Sequence, residues 1–267
     1  MPPTGAEAGA VSSSAMHDES EESRVSATWV DGADGSGFGL NNLPYGVFSV
    51  GDGQRRLGTR IGGFVLDLCA ASQSSLLPPE CDAASLNPLM AAGRRRWSEV
   101  RAGIQELLGD PAHQRAVEPG LVPIADVEMH MPFMVGDWVD FYSSEQHARN
   151  VGQLFRPDAP DLMPNWKHLP IGYHGRAGTV YVSGTPVRRP RGQRLGPDGP
   201  VYGPSIRLDI ELEMGFVVGP GTTMGDTVDA DVADDFIFGM CLVNDWSARD
   251  IQAWEYQPLG PFLGKSF

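Results

Sequence analysis

Cysteine is scarce in this chain: Cys69, Cys81 and Cys241 are the full set, with no paired spacing. So few, in an odd number, exclude a disulfide scaffold and a zinc knuckle. A reducing compartment, the cytoplasm, is therefore expected. Positive charge is short too. Lys and Arg total 20 against 34 Asp and Glu, a formal net charge of −14. An acidic surface repels phosphate backbones, which argues against nucleic acid as a partner. No apolar run reaches the roughly 18–20 residues of a membrane-crossing helix. Residues 1–25 also lack the basic start and apolar run of a secretory signal, so no membrane partner is expected. Glycine-rich pieces such as GVFSVGDG miss the spacing of a phosphate-binding fingerprint, which leaves nucleotide binding without support.

What is abundant is glycine (33) and proline (22), in 267 residues of which 41% are hydrophobic. That balance favours many turns and short strands over long helices. Residues 1–33 are polar and acidic, with the run Asp18-Glu19-Ser20-Glu21-Glu22, and are predicted to be a disordered tail. DGADGSGFG, from Asp31, lacks the late Glu of a calcium loop and is taken as a flexible turn, with ordered structure beginning near Phe38. Strands are predicted at Tyr45–Val50, Arg55–Ile61 and Phe64–Leu68, joined at Asp52-Gly53 and Gly62-Gly63 into a small β-barrel or roll. Leu86, Leu89, Trp97, Val100, Ile104, Leu107 and Leu108 have helical spacing across residues 83–109. Residues 117–133 are taken as a link to a second domain. There, Ser143 and Gln146 form a capping box that starts a helix running to about Phe155. Residues 190–204 are taken as loop, 231–239 as a short helix, and Ile237–Val243 as a buried strand leading into another helix.

The chemistry-bearing residues begin on the strand Arg207–Gly219. Side chains two apart share a strand face, so Asp209, Glu211 and Glu213 point one way, with Leu208, Ile210, Leu212 and Met214 opposite, packed on a core. Three carboxylates within roughly 14 Å repel one another unless a cation or a proton intervenes. All-oxygen ligands suit Mg²⁺, Ca²⁺ or Mn²⁺. An ordinary amphipathic strand with a solvated acidic face has the same pattern. Asp140 closes a strand-like run, and His147 lies in the helix that follows, where an imidazole can take a proton from water. A solvent-facing helix His fits equally. Asp245 ends the second apolar run. Arg249 and Gln252 would share a helix face with it and can donate to an oxyanion, unless Asp245 or Ser247 is simply the N-cap of that helix and Arg249 is solvated. Tyr142, Arg156, Tyr173, Tyr256 and Lys265 are of the types that hold a carboxylate substrate. His168 and His174 are taken as structural.

Longer segments carry a resemblance. DFYSSEQHARNVGQLFR, LPIGYHGRAGTVYVSGTPVRRPRGQ, LDIELEMGFVVGPG, FGMCLVNDWSARDIQAWEYQPLGPFLGKSF and, earlier, NNLPYGVFS resemble the fumarylacetoacetate hydrolase family across residues 38–267, its fumarylacetoacetase branch above all. The resemblance implies a mainly β fold with short helices (α+β). An SH3-like N-terminal β-barrel domain (34–132) would precede a mixed β-roll or sandwich catalytic domain (133–267). That family's chains continue past GKSF, which implies a catalytic domain incomplete at its C-terminal end, without the carboxylate that orients the His. It further implies metal-dependent cleavage of the carbon–carbon bond of 4-fumarylacetoacetate to fumarate and acetoacetate, the last step of tyrosine and phenylalanine catabolism, by a homodimer. Asp140, Glu211, Glu213 and Asp245 would be metal ligands, with a second cation, Mg²⁺, near Asp245 and Lys265. His147 would be the general base. Arg249, Gln252 and Lys265 would stabilise the oxyanion, and Tyr142, Arg156, Tyr173, Gln252 and Tyr256 would contact substrate; Asp209 has no role in that pattern. Decarboxylation, isomerisation or hydration of another oxo acid within the superfamily, and a non-catalytic remnant, stand as alternatives.

Overall fold

The computed structural model describes residues 27–73, 75–155, 157–158 and 160–267. Most of the expected acidic tail, and the candidate substrate contact Arg156, lie outside the described residues. The expected fold class agrees with the described chain, which is mostly short antiparallel strands with short helices between them.

In the N-terminal half, β1 (Tyr45–Ser49), β2 (Arg56–Ile61) and β3 (Phe64–Asp67) form the predicted meander. Their alternating apolar residues Val47, Leu57, Ile61 and Leu66 are fully buried. Asp67 then caps α1 (Leu68–Ala71), its carboxylate accepting from the Cys69 and Ala70 amides and pairing with Arg56. The predicted helical region forms as two pieces, α2 (Asn87–Ala91) and α3 (Arg94–Gly109), because Gly93 sits at φ +81° and breaks the run. After α4 (Gln114–Val117), the supposed link contributes two strands, β4 (Leu121–Pro123) and β5 (Glu128–His130). They flank the meander in a five-stranded sheet of order β4-β3-β2-β1-β5. Order also begins earlier than Phe38. Val30 and Ala33 are buried in the core, and Trp29 Nε1 donates to the Leu107 carbonyl at 2.9 Å.

The C-terminal half is built from two-stranded ribbons. β6 (Val139–Phe141) pairs with β7 (Gly172–His174), and α5 (Glu145–Phe155) lies between them in sequence. Ser144, not Ser143, starts this helix, its Oγ accepting from the His147 amide at 3.4 Å. The stretch expected to be loop is the hairpin of β8 (Arg191–Gly196) and β9 (Gly199–Pro204), turning at Pro197-Asp198. The long acidic strand is interrupted. β10 (Leu208–Asp209) pairs with β13 (Ser247–Ala248), and β11 (Leu212–Val218) pairs with β12 (Ile237–Asn244). α6 (Arg249–Glu255) follows. The expectation of a core behind the apolar face is reversed among the described residues. Leu212 is 78% exposed, Phe216 59% and Leu242, on the strand expected to be buried, 71%, whereas Glu211 and Glu213 are half-buried. The far end of the β11–β12 ribbon is anchored, with Phe238 edge-on to Trp97 at 5.3 Å and stacked on Tyr45 at 6.0 Å.

Candidate metal centre and active site

Two strand lines break at the same level, and the acidic side chains collect at the break. Ile210-Glu211 separates β10 from β11, and Asp245-Trp246 separates β12 from β13. The Asp245 amide donates to the Glu211 carbonyl at 2.9 Å, which holds the two breaks side by side. Asp140 arrives from a different ribbon, opposite Tyr173. Lys265 is delivered by the chain beyond α6. Glu255 Oε1 accepts from the amides of Phe262 (2.9 Å) and Gly264 (2.6 Å), and the Gly264 carbonyl accepts from Ala248 at 2.8 Å. A Cβ on Gly264 would come within 2.8 Å of the Gln252 amide nitrogen, so only glycine fits this close to α6.

One oxygen each from Asp140, Glu213 and Asp245 lies within 4.8 Å of the others. Asp245 is 5% exposed. Carboxylates packed this closely need positive charge, and three side chains supply part of it. Lys265 Nζ donates to Glu211 Oε2 (2.6 Å) and Ser247 Oγ (2.7 Å) and pairs with Asp245 Oδ2 (2.7 Å). Arg176 Nη1 donates to both Asp245 oxygens at 2.8 Å and to the Tyr173 hydroxyl at 3.1 Å, and its Nη2 faces Asp140 at 3.5 Å. Arg249 pairs with Glu211 and, through Nε, with Asp209 at 3.1 Å. Burial raises the Glu211 carboxyl, but Lys265 and Arg249 outweigh it and hold the group below its ordinary range. Glu213 has no hydrogen bond or ion pair among the described residues. Its burial, together with Asp245, Asp140 and Glu211, outweighs the charge of Lys265 and lifts its carboxyl to about 7. Burial also raises Asp140, against the Tyr173 hydrogen bond and the Arg176 charge. The arrangement is short of positive charge beside Glu213, and its available donor atoms are all oxygen. That donor set fits a hard divalent cation.

The structure brings Asp140, Glu211, Glu213, Asp245, Tyr173, Arg249 and Lys265 into one connected network. Gln252 joins its edge, its Oε1 accepting from Arg249 Nη1 at 3.2 Å. Lys265 enters as an ammonium donor, with no lone pair to offer a metal. His147 is exposed and lies edge-on to Tyr142 at 5.6 Å, without a hydrogen bond to the carboxylates. Tyr142 OH donates to the Ala148 carbonyl at 3.2 Å. A hollow of about 210 Å³ beside it, walled by Asp161, Met163, Trp166 and Ile171, includes none of the four candidate metal ligands. Tyr256, at the end of α6, is 39% exposed and stands outside the network. Sequence reasoning missed Arg176 and Ser247, and set aside Asp209. Arg176 lies three residues beyond Tyr173, so the only available signal was its closeness to a candidate contact.

Two family profiles match: the N-terminal domain of fumarylacetoacetase over residues 41–132 and the C-terminal fumarylacetoacetate hydrolase domain over 137–267. The fumarylacetoacetase of Rattus norvegicus is 50% identical over 250 residues, covering 88% of this chain and 59% of that protein. The human fumarylacetoacetase is 49% identical over 249 residues, with the same two coverages. That of Caenorhabditis elegans is 50% identical over 251 residues, covering 87% of this chain and 59% of its own length. The chain thus spans 59% of the length of each of these relatives. Matched along both halves and half identical to enzymes that share one name, the chain that gathers these carboxylates belongs to the fumarylacetoacetate hydrolase family.

Proposed function

We propose that this chain carries the larger part of a hydrolase that cleaves the carbon–carbon bond of 4-fumarylacetoacetate, giving fumarate and acetoacetate. The observation that carries the reading is the convergence of Asp140, Glu213 and Asp245 within 4.8 Å, with Glu213 making no ion pair among the described residues. The half-identical relatives named fumarylacetoacetase support the substrate assignment. Asp140, Glu211, Glu213 and Asp245 would hold Mg²⁺ or Ca²⁺, with Mn²⁺ a further candidate. When bound, such a cation supplies Lewis-acid polarisation to a 1,3-diketo unit.

The chain's own residues do the rest. His147 takes a proton from water, and the resulting hydroxide adds to the carbonyl carbon next to the scissile bond. Arg249, Gln252 and Lys265 donate to the oxyanion that forms. The carbon–carbon bond then breaks, its electron pair leaves with the acetoacetate carbon, and a proton completes that product. Tyr142, Arg156, Tyr173, Gln252 and Tyr256 orient the substrate. We further propose a homodimer working in the cytoplasm. Supporting the dimer is the apolar face of Leu212, Phe216 and Leu242, exposed in the single chain. Residues 34–132 and 133–267 would be its two domains.

The test is turnover by the full chain with added Mg²⁺. Hydrolysis of fumarylacetoacetate without turnover of oxaloacetate is expected. Turnover of oxaloacetate alone would overturn the reading in favour of another oxo-acid chemistry of the superfamily. His147→Ala should lower kcat by about 10²–10⁴-fold, the range for a lost general base. Unchanged turnover would remove His147 from the mechanism.

A further inference from the structure

Asp140 lies on β6 and Asp245 directly follows β12, and among the described residues these ribbons share no strand pairing, since β6 pairs with β7 and β12 with β11. Strand hydrogen bonds therefore leave the distance between these two carboxylates unset. Among the described residues, Arg176 is the one side chain that touches both. Its guanidinium is 6% exposed and is held in place by more than its ion pairs. The Trp138 ring lies 5.1 Å from it and the Tyr173 ring 5.6 Å. The planar ion is thus flanked by aromatic rings while its two terminal nitrogens reach different acids. Its Nε is buried without a hydrogen-bond partner, an expense accepted for the sake of the fork's orientation.

We propose that Arg176 is a positioning residue. Its forked guanidinium ties the β6–β7 ribbon to the β11–β12 ribbon and sets Asp140 and Asp245 at the spacing a divalent cation needs. This rests on the metal reading above. It carries a sign that distinguishes it from simple charge neutralisation. A nearby positive charge by itself repels a cation, so its removal would tighten binding. A brace that orients ligands does the opposite, and loss of such an outer partner costs about 10–100-fold in metal affinity.

The test is Mn²⁺ titration of the full chain, followed by the electron paramagnetic resonance of free Mn²⁺, for wild type, Arg176→Met and Arg176→Lys. Arg176→Met is expected to bind Mn²⁺ about 10–100-fold more weakly, although the site has become more negative. Arg176→Lys keeps the charge and loses the fork, and should also bind more weakly. Ile104→Val, a core substitution far from the site in sequence and contact, controls for lowered stability and should bind as wild type does. Should Arg176→Met fail to fold, Arg176→Lys carries the decision. Wild-type or tighter binding by either folded Arg176 variant would overturn the inference and leave the metal reading standing. A wild-type chain that binds no Mn²⁺, Mg²⁺ or Ca²⁺ would overturn both.

Discussion

Glu213 is the carboxylate of the cluster that makes no hydrogen bond or ion pair among the described residues, and its protonation should be visible in stability. Burial and three neighbouring acids lift its carboxyl from 4.5 to about 7 in the cation-free fold. A raised carboxyl stabilises the fold fully below its unfolded value of 4.5, and that contribution is lost as pH rises through about 7. In chelator, thermal stability should therefore fall between pH 4.5 and 7, and Glu213→Gln should flatten that slope. Discounting the shift for the group's partial exposure, the variant should gain about 1 kcal/mol at neutral pH, or ~2–4 °C in Tm. Added Mg²⁺ should stabilise wild type but not the variant. Scanning calorimetry with and without Mg²⁺ checks both directions. At this scale the sequence was informative where chemistry repeats locally. Glu211 and Glu213 stand two residues apart in one alternating segment, and Asp245 follows a β-type run. Arg176 was not legible, because it meets Asp245 across 69 residues of chain and no local pattern marks that meeting.

The elements were legible where their signals are short-range. The meander β1–β3 forms because alternating apolar residues and a Gly-Gly turn specify the same register. The hairpin β8–β9 was missed because its strands are rich in Gly, Pro and Arg and poor in β-branched residues. The interruption between β10 and β11 was hidden, because periodicity runs unbroken through Ile210-Glu211 while the strand changes partners. α6 holds this interrupted region through Asp250. Ser205 Oγ donates to Asp250 at 2.5 Å, the Ile206 amide at 2.9 Å, and Arg194 lies 3.6 Å away. Burial works against this charge, but the hydrogen bonds outweigh it and keep the carboxyl below 3.8. Asp250→Ala should cost about 1–3 kcal/mol at neutral pH by leaving these donors unpaired. A depressed carboxyl stabilises above its unfolded value and loses that effect as pH falls through its folded one. The difference between wild type and variant in urea melts should therefore shrink once pH drops below 3.8.

Across the whole molecule, the buried apolar residues of the core cluster lie between Val30 and Val117, and the acidic centre is built on ribbons beyond it. Phe238 is the joint, seated on Trp97 and Tyr45. Phe238→Ala should speed amide hydrogen exchange along β12 while leaving β1–β3 protected, because it frees the ribbon without opening the core. Uniform loss of protection would contradict that division. Composition argued against membrane-crossing helices through the shortness of the apolar runs, and among the described residues no helix is long and apolar enough to cross a membrane. The apolar face of the β11–β12 ribbon could not be anticipated in this way, since alternation shows that a face is apolar and not what covers it. The central claim is that the carboxylate cluster works through a divalent cation on a diketo acid. Its most direct test is fumarylacetoacetate turnover by the full chain, measured in chelator and then through a Mg²⁺ titration. The account predicts loss of turnover in chelator and its return with Mg²⁺ in wild type, but no return in Asp245→Asn; full turnover in chelator, or an undiminished Asp245→Asn, would contradict it.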